Sequence, residues 1–276
     1  MLSADLHFHS TASDGYYPPE ELIERGFDNG AQLLSLTDHD TLSGIAAAQK
    51  KALELEVDFV PGIELSCIWN NIGIHVVGLG FDLTDAQLLE SVAGQCRRRN
   101  ERAIEIGRRI DKTGIDGSYE KAKQIAGSAQ IGRPHFARLL VETGKVKDCN
   151  QAFKKYLGAG KTGDVKALWP QVSEAIGWIQ QAGGYAVLAH PNKYKLTRTR
   201  LNRLVTQFKE EGGDGLEVIS GRQEAETTRH LVGLCRDLGL YASCGSDFHG
   251  PETRWLDIGK NQLLPDDCRP IWELWL

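Results

Sequence analysis

Leu33-Leu34-Ser35-Leu36-Thr37-Asp38-His39-Asp40 runs from an apolar, strand-like segment straight into carboxylates and an imidazole. The same order recurs along the chain. Asp5-Leu6-His7-Phe8-His9 is followed by Asp14, Val60-Pro61-Gly62-Ile63 by Glu64, and Tyr185-Ala186-Val187-Leu188-Ala189 by His190. His75 opens Val76-Val77-Gly78-Leu79, and Gly245-Ser246-Asp247-Phe248-His249 comes last. Residues two apart on a strand share a face, so His7 and His9 can grip one ion together, as can Asp247 and His249. Imidazoles and carboxylates suit divalent ions such as zinc, manganese and iron, which activate water at neutral pH. One His-x-His pair means little; its recurrence at the ends of successive strands, where a barrel gathers its loops, carries the argument.

Helical patterns separate these strands, at 18–29, 43–56, 171–182, 201–211 and 224–239, with strands predicted at 33–37, 57–63, 75–81, 185–189, 215–219 and 241–245. Such alternation predicts an α/β fold with a mainly parallel sheet and ligands at its C-terminal rim. The rhythm stops between 83 and 168, where helices are expected at 88–112, 120–125, 135–143 and 149–156 and no strand is. The expected organisation is therefore 1–82 with 169–276 as one barrel, and 83–168 as a helical insertion that caps the site.

The chain has 276 residues, 25% of them charged and 41% hydrophobic, an ordinary globular balance. A formal net charge of −5 argues against a broad basic footprint on duplex DNA, and leaves room for a small pocket that takes an anion. The six cysteines are scattered without a C-x-x-C pair, so reduced thiols are expected. No leader segment and no run of about 20 apolar residues is visible, which predicts a cytoplasmic protein away from the membrane.

Single residues weigh differently. Glu64 after an apolar run is a buried carboxylate that needs a partner or an ion. Asp38 is expected to orient a ligand histidine, and Glu217 either does the same or sits at a strand end. In Ile131-Gly132-Arg133-Pro134-His135, Pro134 suits the first turn of a helix, and Arg133 offers a fork for phosphate with His135 as a second donor. Gly158-Ala159-Gly160-Lys161-Thr162 imitates a nucleotide P-loop but lacks its first glycine, because Lys155 stands there; Lys161 is kept only as a residue facing the site from the insertion. Arg97-Arg98-Arg99, with Arg102, Arg108 and Arg109, reads most simply as a solvated helix face.

Taken together, Asp5-Leu6-His7-Phe8-His9-Ser10, Ser13-Asp14-Gly15, Thr37-Asp38-His39-Asp40, Pro61-Gly62-Ile63-Glu64, His75, Ala189-His190-Pro191 and Gly245-Ser246-Asp247-Phe248-His249 resemble the PHP superfamily of phosphoesterases. Gly132 to Arg138, Phe153-Lys154-Lys155-Tyr156-Leu157, Gly160-Lys161-Thr162-Gly163 and Trp272-Glu273-Leu274-Trp275 are similar to the branch with the 3′,5′-nucleotide bisphosphate phosphatases and 5′-to-3′ exoribonucleases of the RNase AM type. The resemblance implies a distorted (β/α)7 barrel and up to three divalent ions, manganese first, with zinc or iron accepted by the same ligands. One ion would take His7, His9, Glu64 and Asp247, a second Glu64, His75 and His190, and a third Asp14, His39 and His249. Glu64, Asp247 and His190 are the expected catalytic residues, acting through metal-activated hydroxide, with Arg133, His135 and Lys161 binding substrate. The implied substrates are short 5′-phosphorylated RNA, as in RNA 5′-end maturation, and 3′,5′-bisphosphate nucleotides. The alternatives are a phosphatase for a small non-nucleotide ester of the histidinol phosphate kind and a non-catalytic metal-binding module.

Overall fold

The computed structural model describes residues 2–166, 169–251, 256–260 and 262–276. Strands β1 (Ala4–Phe8), β2 (Leu33–Leu36) and β3 (Asp58–Phe59) pair in parallel as a three-stranded sheet. A five-stranded sheet follows in the order β4 (Gly62–Trp69), β5 (Ile72–Leu79), β6 (Tyr185–Leu188), β7 (Gly215–Ser220) and β8 (Tyr241–Gly245). Here β6, β7 and β8 are parallel, but β5 is antiparallel to both β4 and β6.

This corrects the expectation of one mainly parallel sheet. The predicted strand 57–63 is two strands in different sheets, broken at Val60-Pro61. A hairpin then joins β4 to β5 through Asn70 and Asn71, at φ of 46° and 62°. Two left-handed residues make the kind of turn whose twist matches paired strands, and asparagine tolerates that region better than most side chains. The Asn-Asn pair was the available signal. His75 consequently lies inside β5, opposite Ser66, instead of opening a strand. The two sheets touch through the isolated bridges Phe8–Phe248 and His39–Glu64, and no closed barrel forms among the described residues. Gly245 permits the close approach of β8 to β1: a Cβ there would stand 2.2 Å from His7 Cβ.

Helices α1 (Pro19–Asp28) and α2 (Ile45–Leu55) pack Leu22, Ile23, Ala48 and Ala52 on Leu34 and Leu36 of β2. Pro19 and the first-turn Glu20 and Glu21 suit a helix start, where proline loses nothing and acids meet the positive end of the dipole. The long α3 (Ala86–Asp111) is capped by Asp85, whose carboxylate accepts the Leu88 N–H at 2.7 Å. Its first half sends Leu88 and Val92 into the core of the five-stranded sheet. Its second half sends Ala103, Ile106 and Ile110 into a separate apolar cluster with Phe136, Leu140 and Leu157. That cluster is built by α3, α4 (Ser118–Ala126), α5 (Arg133–Glu142), α6 (Cys149–Ala152) and a π-helical turn at Phe153–Leu157. Fully burying an isoleucine, leucine or phenylalanine of this cluster is worth about 1.5–3 kcal/mol. Helices α7 (Val172–Gln181), α8 (Arg198–Glu210) and α9 (Ala225–Leu238) cover the five-stranded sheet with Ile176, Ile179, Leu204, Phe208 and Leu231. Among the described residues no helix is long and apolar enough to cross a membrane.

Candidate metal centre

All nine expected ligands converge. His7 ends β1 with His9 just beyond it, Asp14 lies in the loop that follows, and His39 follows β2. Glu64 and His75 come from β4 and β5, His190 follows β6, and Asp247 and His249 follow β8. Four overlapping groups of donor atoms each fall within 4.8 Å: His9, Asp14, His39 and His249; His7, Glu64 and His190; His7, His9 and Asp247; His39, Glu64 and His75. Glu64 is central and fully buried. Its Oε1 stands 2.8 Å from His75 Nδ1 and from His190 Nε2, and its Oε2 stands 3.4 Å from His9 Nε2.

The donor set fits divalent ions. Two ligands each about 2.1 Å from one ion stand roughly 3–3.5 Å apart. His9 Nε2 lies 3.3 Å from Asp247 Oδ1 and 3.2 Å from His7 Nε2, and His249 Nε2 lies 3.5 Å from Asp14 Oδ1. His39 Nδ1 and Glu64 Oε2 are only 2.6 Å apart, the contact of an ion pair or of two ligands that share one ion. Imidazole nitrogens and carboxylate oxygens that converge at these distances are donors a divalent ion accepts. The buried carboxylates Asp14 and Glu64, which face imidazoles alone, also demand positive charge, while Asp247, 10% exposed, has Lys193 beside it.

The electrostatics agree. Burial would raise the Glu64 carboxyl, but His39, His75 and His7 hold it well below the usual range. Asp247 behaves alike, with Lys193 and His7 overcoming burial. Burial, with His249 and His39 beside it, pushes His9 down to about 3, so its imidazole is neutral, the form that binds metal. Burial lowers His7 too, but Glu217, Glu64 and Asp247 outweigh it and raise its pKa well above the usual value.

Glu217 is 2% exposed on β7, and its Oε2 accepts the His190 backbone N–H at 2.6 Å and His7 Nδ1–H at 3.1 Å. It therefore turns His7 so that Nε2 faces Glu64 and Asp247. Asp38 does not do this for any histidine. It accepts Ser10 N–H, Ser10 Oγ–H and Ser13 Oγ–H, and so ties the loop after β1 to the loop after β2. The backbone is strained here: Asp40, His190 and Asp247 have φ of 52°, 27° and 51°, a region that costs non-glycine residues about 1–3 kcal/mol.

Two cavities flank the centre. One, of about 550 Å³, opens on Asp14, His39 and His75 and is walled by Arg99, Arg102, Arg133 and Trp169. The other, about 320 Å³, opens on Asp14, Asp247 and His249 and is lined by Tyr16, Arg138, Asn150 and Lys193. Pro134 and Phe153 border both. Arg133 lies over the Phe153 ring, and its guanidinium has no hydrogen bond or ion pair to any described residue. His135 instead turns inward: it is buried, its Nδ1 accepts the Gly132 N–H at 2.9 Å, and burial lowers its pKa. Lys161 is exposed and lines neither cavity.

The arginine run is a correction. Arg97 and Arg108 are solvated, but Arg99 is 8% exposed and donates from Nε to Asp40 at 2.5 Å and from Nη2 to Ser66 Oγ at 3.0 Å. Arg102 donates to the Val165 carbonyl, and burial with Arg133 and Arg99 nearby pushes it down to about 9. Both guanidinium groups lie over the Trp169 ring. Arg99 shares a helical stripe with Val92, Ala103 and Ile106, the signal that could have revealed it. Lys193, in contact with Asp247, had no sequence signal beyond standing three residues after His190.

A model of the PHP domain family matches residues 5–218. The chain is 42% identical to a 5′-3′ exoribonuclease of Haemophilus influenzae, over 98% of this chain and 97% of that one. It is likewise 42% identical to a 3′,5′-nucleoside bisphosphate phosphatase of Chromobacterium violaceum, over 99% and 96%. A solved structure of an amidohydrolase from Chromobacterium violaceum with bound sulfate and no metal superposes with a TM-score of 0.92 at 40% identity, covering 99% of this chain and 95% of that one.

Proposed function

Since this chain belongs to the PHP domain family, we propose that it is a metal-dependent phosphoesterase that shortens 5′-phosphorylated RNA from its 5′ end and also removes the 3′-phosphate of 3′,5′-bisphosphate nucleotides. The observation that carries this is Arg133, a guanidinium with no hydrogen bond or ion pair to any described residue, in a cavity that opens directly on the ligand cluster. The activities named for the two relatives differ only in what hangs on the scissile phosphate, which supports one site serving both.

His7, His9, Glu64 and Asp247 would hold one ion, Glu64, His75 and His190 a second, and Asp14, His39 and His249 a third, with manganese the metal to test first. Such ions, when bound, polarise phosphoryl oxygens and lower the pKa of water. The protein's own part is orientation. Glu217 fixes the tautomer of His7 and the backbone at His190. Arg133, backed by Arg99 and Arg102, takes the 5′-phosphate, and Trp169 offers a ring face to the base. That register sets the phosphorus on the 3′ side of the same nucleotide over the cluster. The oxygen of water joins phosphorus, the P–O3′ bond breaks, and the 3′-oxygen takes the proton that water gives up. A bisphosphate nucleotide then yields inorganic phosphate; an RNA yields a 5′-mononucleotide and a shorter 5′-phosphorylated strand.

The two sheets read as arcs of a distorted barrel, a reading supported by the bridges Phe8–Phe248 and His39–Glu64. Residues 83–168 read as the cap that shapes the substrate site, supported by their separate apolar cluster and by Arg99, Arg102 and Arg133 facing the cavity. Six thiol cysteines support a cytoplasmic setting.

Manganese-supplemented assays on a 3′,5′-bisphosphate nucleotide and on a 5′-phosphorylated short RNA test the proposal. Wild type should turn over both and prefer a 5′-phosphate to a 5′-hydroxyl, and Arg133→Ala should erase that preference. Wild-type turnover retained in Asp247→Ala and His190→Ala would refute the assignment of the centre.

A further inference from the structure

With its 5′-phosphate on Arg133 and its 3′-phosphate over the cluster, a 3′,5′-bisphosphate nucleotide would leave the smaller cavity unfilled. We propose that it binds the nucleoside that follows the scissile phosphate, attached through its 5′-oxygen, and that it sets the preference for RNA over the bisphosphate nucleotide. The assignment rests on the phosphoesterase reading above.

Placement is the first argument. His39 and His75 face the arginine-lined cavity, Asp247 and His249 face the smaller one, and Asp14 faces both. A phosphate over the cluster, with its 3′-oxygen directed to a nucleotide held by Arg133, has the opposite side for its remaining ester substituent. That side is the smaller cavity.

Its chemistry is the second argument. Tyr16 and Phe153 supply ring faces and Pro134 an apolar wall, while Arg138 and Asn150 supply polar groups, the mixture a base and sugar need. Among the described residues, its only carboxylates are Asp14 and Asp247, both in the metal-ligand set; with Lys193 paired to Asp247, Arg138 is the cation left to face a phosphodiester strand. The volume of about 320 Å³ lies near the lower end for ligand sites and suits one nucleoside.

Tyr16 is the third. It is 58% exposed, yet it is held firmly: its N–H donates to the His249 carbonyl at 2.7 Å and its ring stands edge-on against Tyr17 at 4.9 Å. A large aromatic kept at the mouth of a cavity and tied to a metal-ligand residue is a preformed stacking platform. After P–O3′ cleavage the bound nucleoside keeps the phosphate on its 5′-oxygen. It leaves the smaller cavity carrying the 5′-phosphate that the arginine cavity accepts in the next round.

The experiment compares a 5′-phosphorylated dinucleotide with a 3′,5′-bisphosphate nucleotide in wild type and Tyr16→Ala. The variant should lose about tenfold in kcat/KM on the dinucleotide and stay within about twofold on the bisphosphate, which also reports that the fold is intact. A dinucleotide with an abasic second residue should cost wild type a similar factor, with no further loss in Tyr16→Ala. Equal losses on both substrates, or wild-type indifference to the missing base, would overturn the assignment. Failure of wild type on both substrates would instead overturn the phosphoesterase reading beneath it.

Discussion

Glu217→Gln should weaken metal binding about fivefold without unfolding the protein. The carboxylate accepts two hydrogen bonds through Oε2, from His7 Nδ1 at 3.1 Å and from the His190 backbone at 2.6 Å. An amide of the same shape can still accept through its oxygen, but each bond loses its charge assistance, a difference of about 1 kcal/mol. Only the His7 bond acts directly on a ligand. The affinity change should therefore lie near 1 kcal/mol, a factor of about five, just under the range that ligand-orienting partners usually control. The pH dependence has a sign. Glu217 is the largest influence raising the His7 pKa against burial, so in wild type a proton competes for Nε2 as pH falls through that raised value. In the variant this competition begins at lower pH. The affinity gap between the two proteins should thus be widest at alkaline pH and narrow on acidification. Calorimetric titration with manganese at several pH values reads it directly. An unchanged dissociation constant at alkaline pH, or a gap that widens toward acid, would refute the reasoning.

Arg99→Met should destabilise the fold by about 3–5 kcal/mol in chemical denaturation, because Asp40 stays buried without its cation. Burial would raise the Asp40 carboxyl but Arg99 holds it below its ordinary value, so wild type should lose this contribution as pH falls below about 4 through the depressed pKa, and the variant should lack that step. Trp169→Ala should lower kcat/KM on both the bisphosphate nucleotide and RNA, by a factor consistent with about 1–3 kcal/mol of stacking; a loss confined to RNA would place the base elsewhere. Gly245→Ala sets a methyl 2.2 Å from His7 Cβ and 2.8 Å from its nitrogen, so it should force β1 and β8 apart. It should cost about 1–3 kcal/mol or more and lower metal content by elemental analysis, whereas a wild-type thermal midpoint with full metal would refute the packing argument.

Most of the centre was legible because its evidence is local. His7 and His9, or Asp247 and His249, declare themselves by residue type and a spacing of two after an apolar run. Arg133 stood out by preceding a proline at a helix start. What was misread depended on partners far away in the chain. Asp38 looked like the partner of a histidine, but two serines of the β1 loop claim it. Arg99 stands on the buried stripe of α3 and Arg97 off it, but only the packing of α3 brings Asp40 to Arg99 and leaves Arg97 in water.

From sequence alone came the donor types, their order along an α/β chain and the helical interruption between His75 and His190, because side-chain chemistry and backbone period are properties of neighbouring residues. The antiparallel β4–β5 hairpin, the hold of Glu217 on His7, the arginines over Trp169 and the two cavities on either side of Asp14 belong to tertiary structure. Each depends on distances between segments tens to hundreds of residues apart. Those distances are set when apolar faces pack, and no local pattern encodes them.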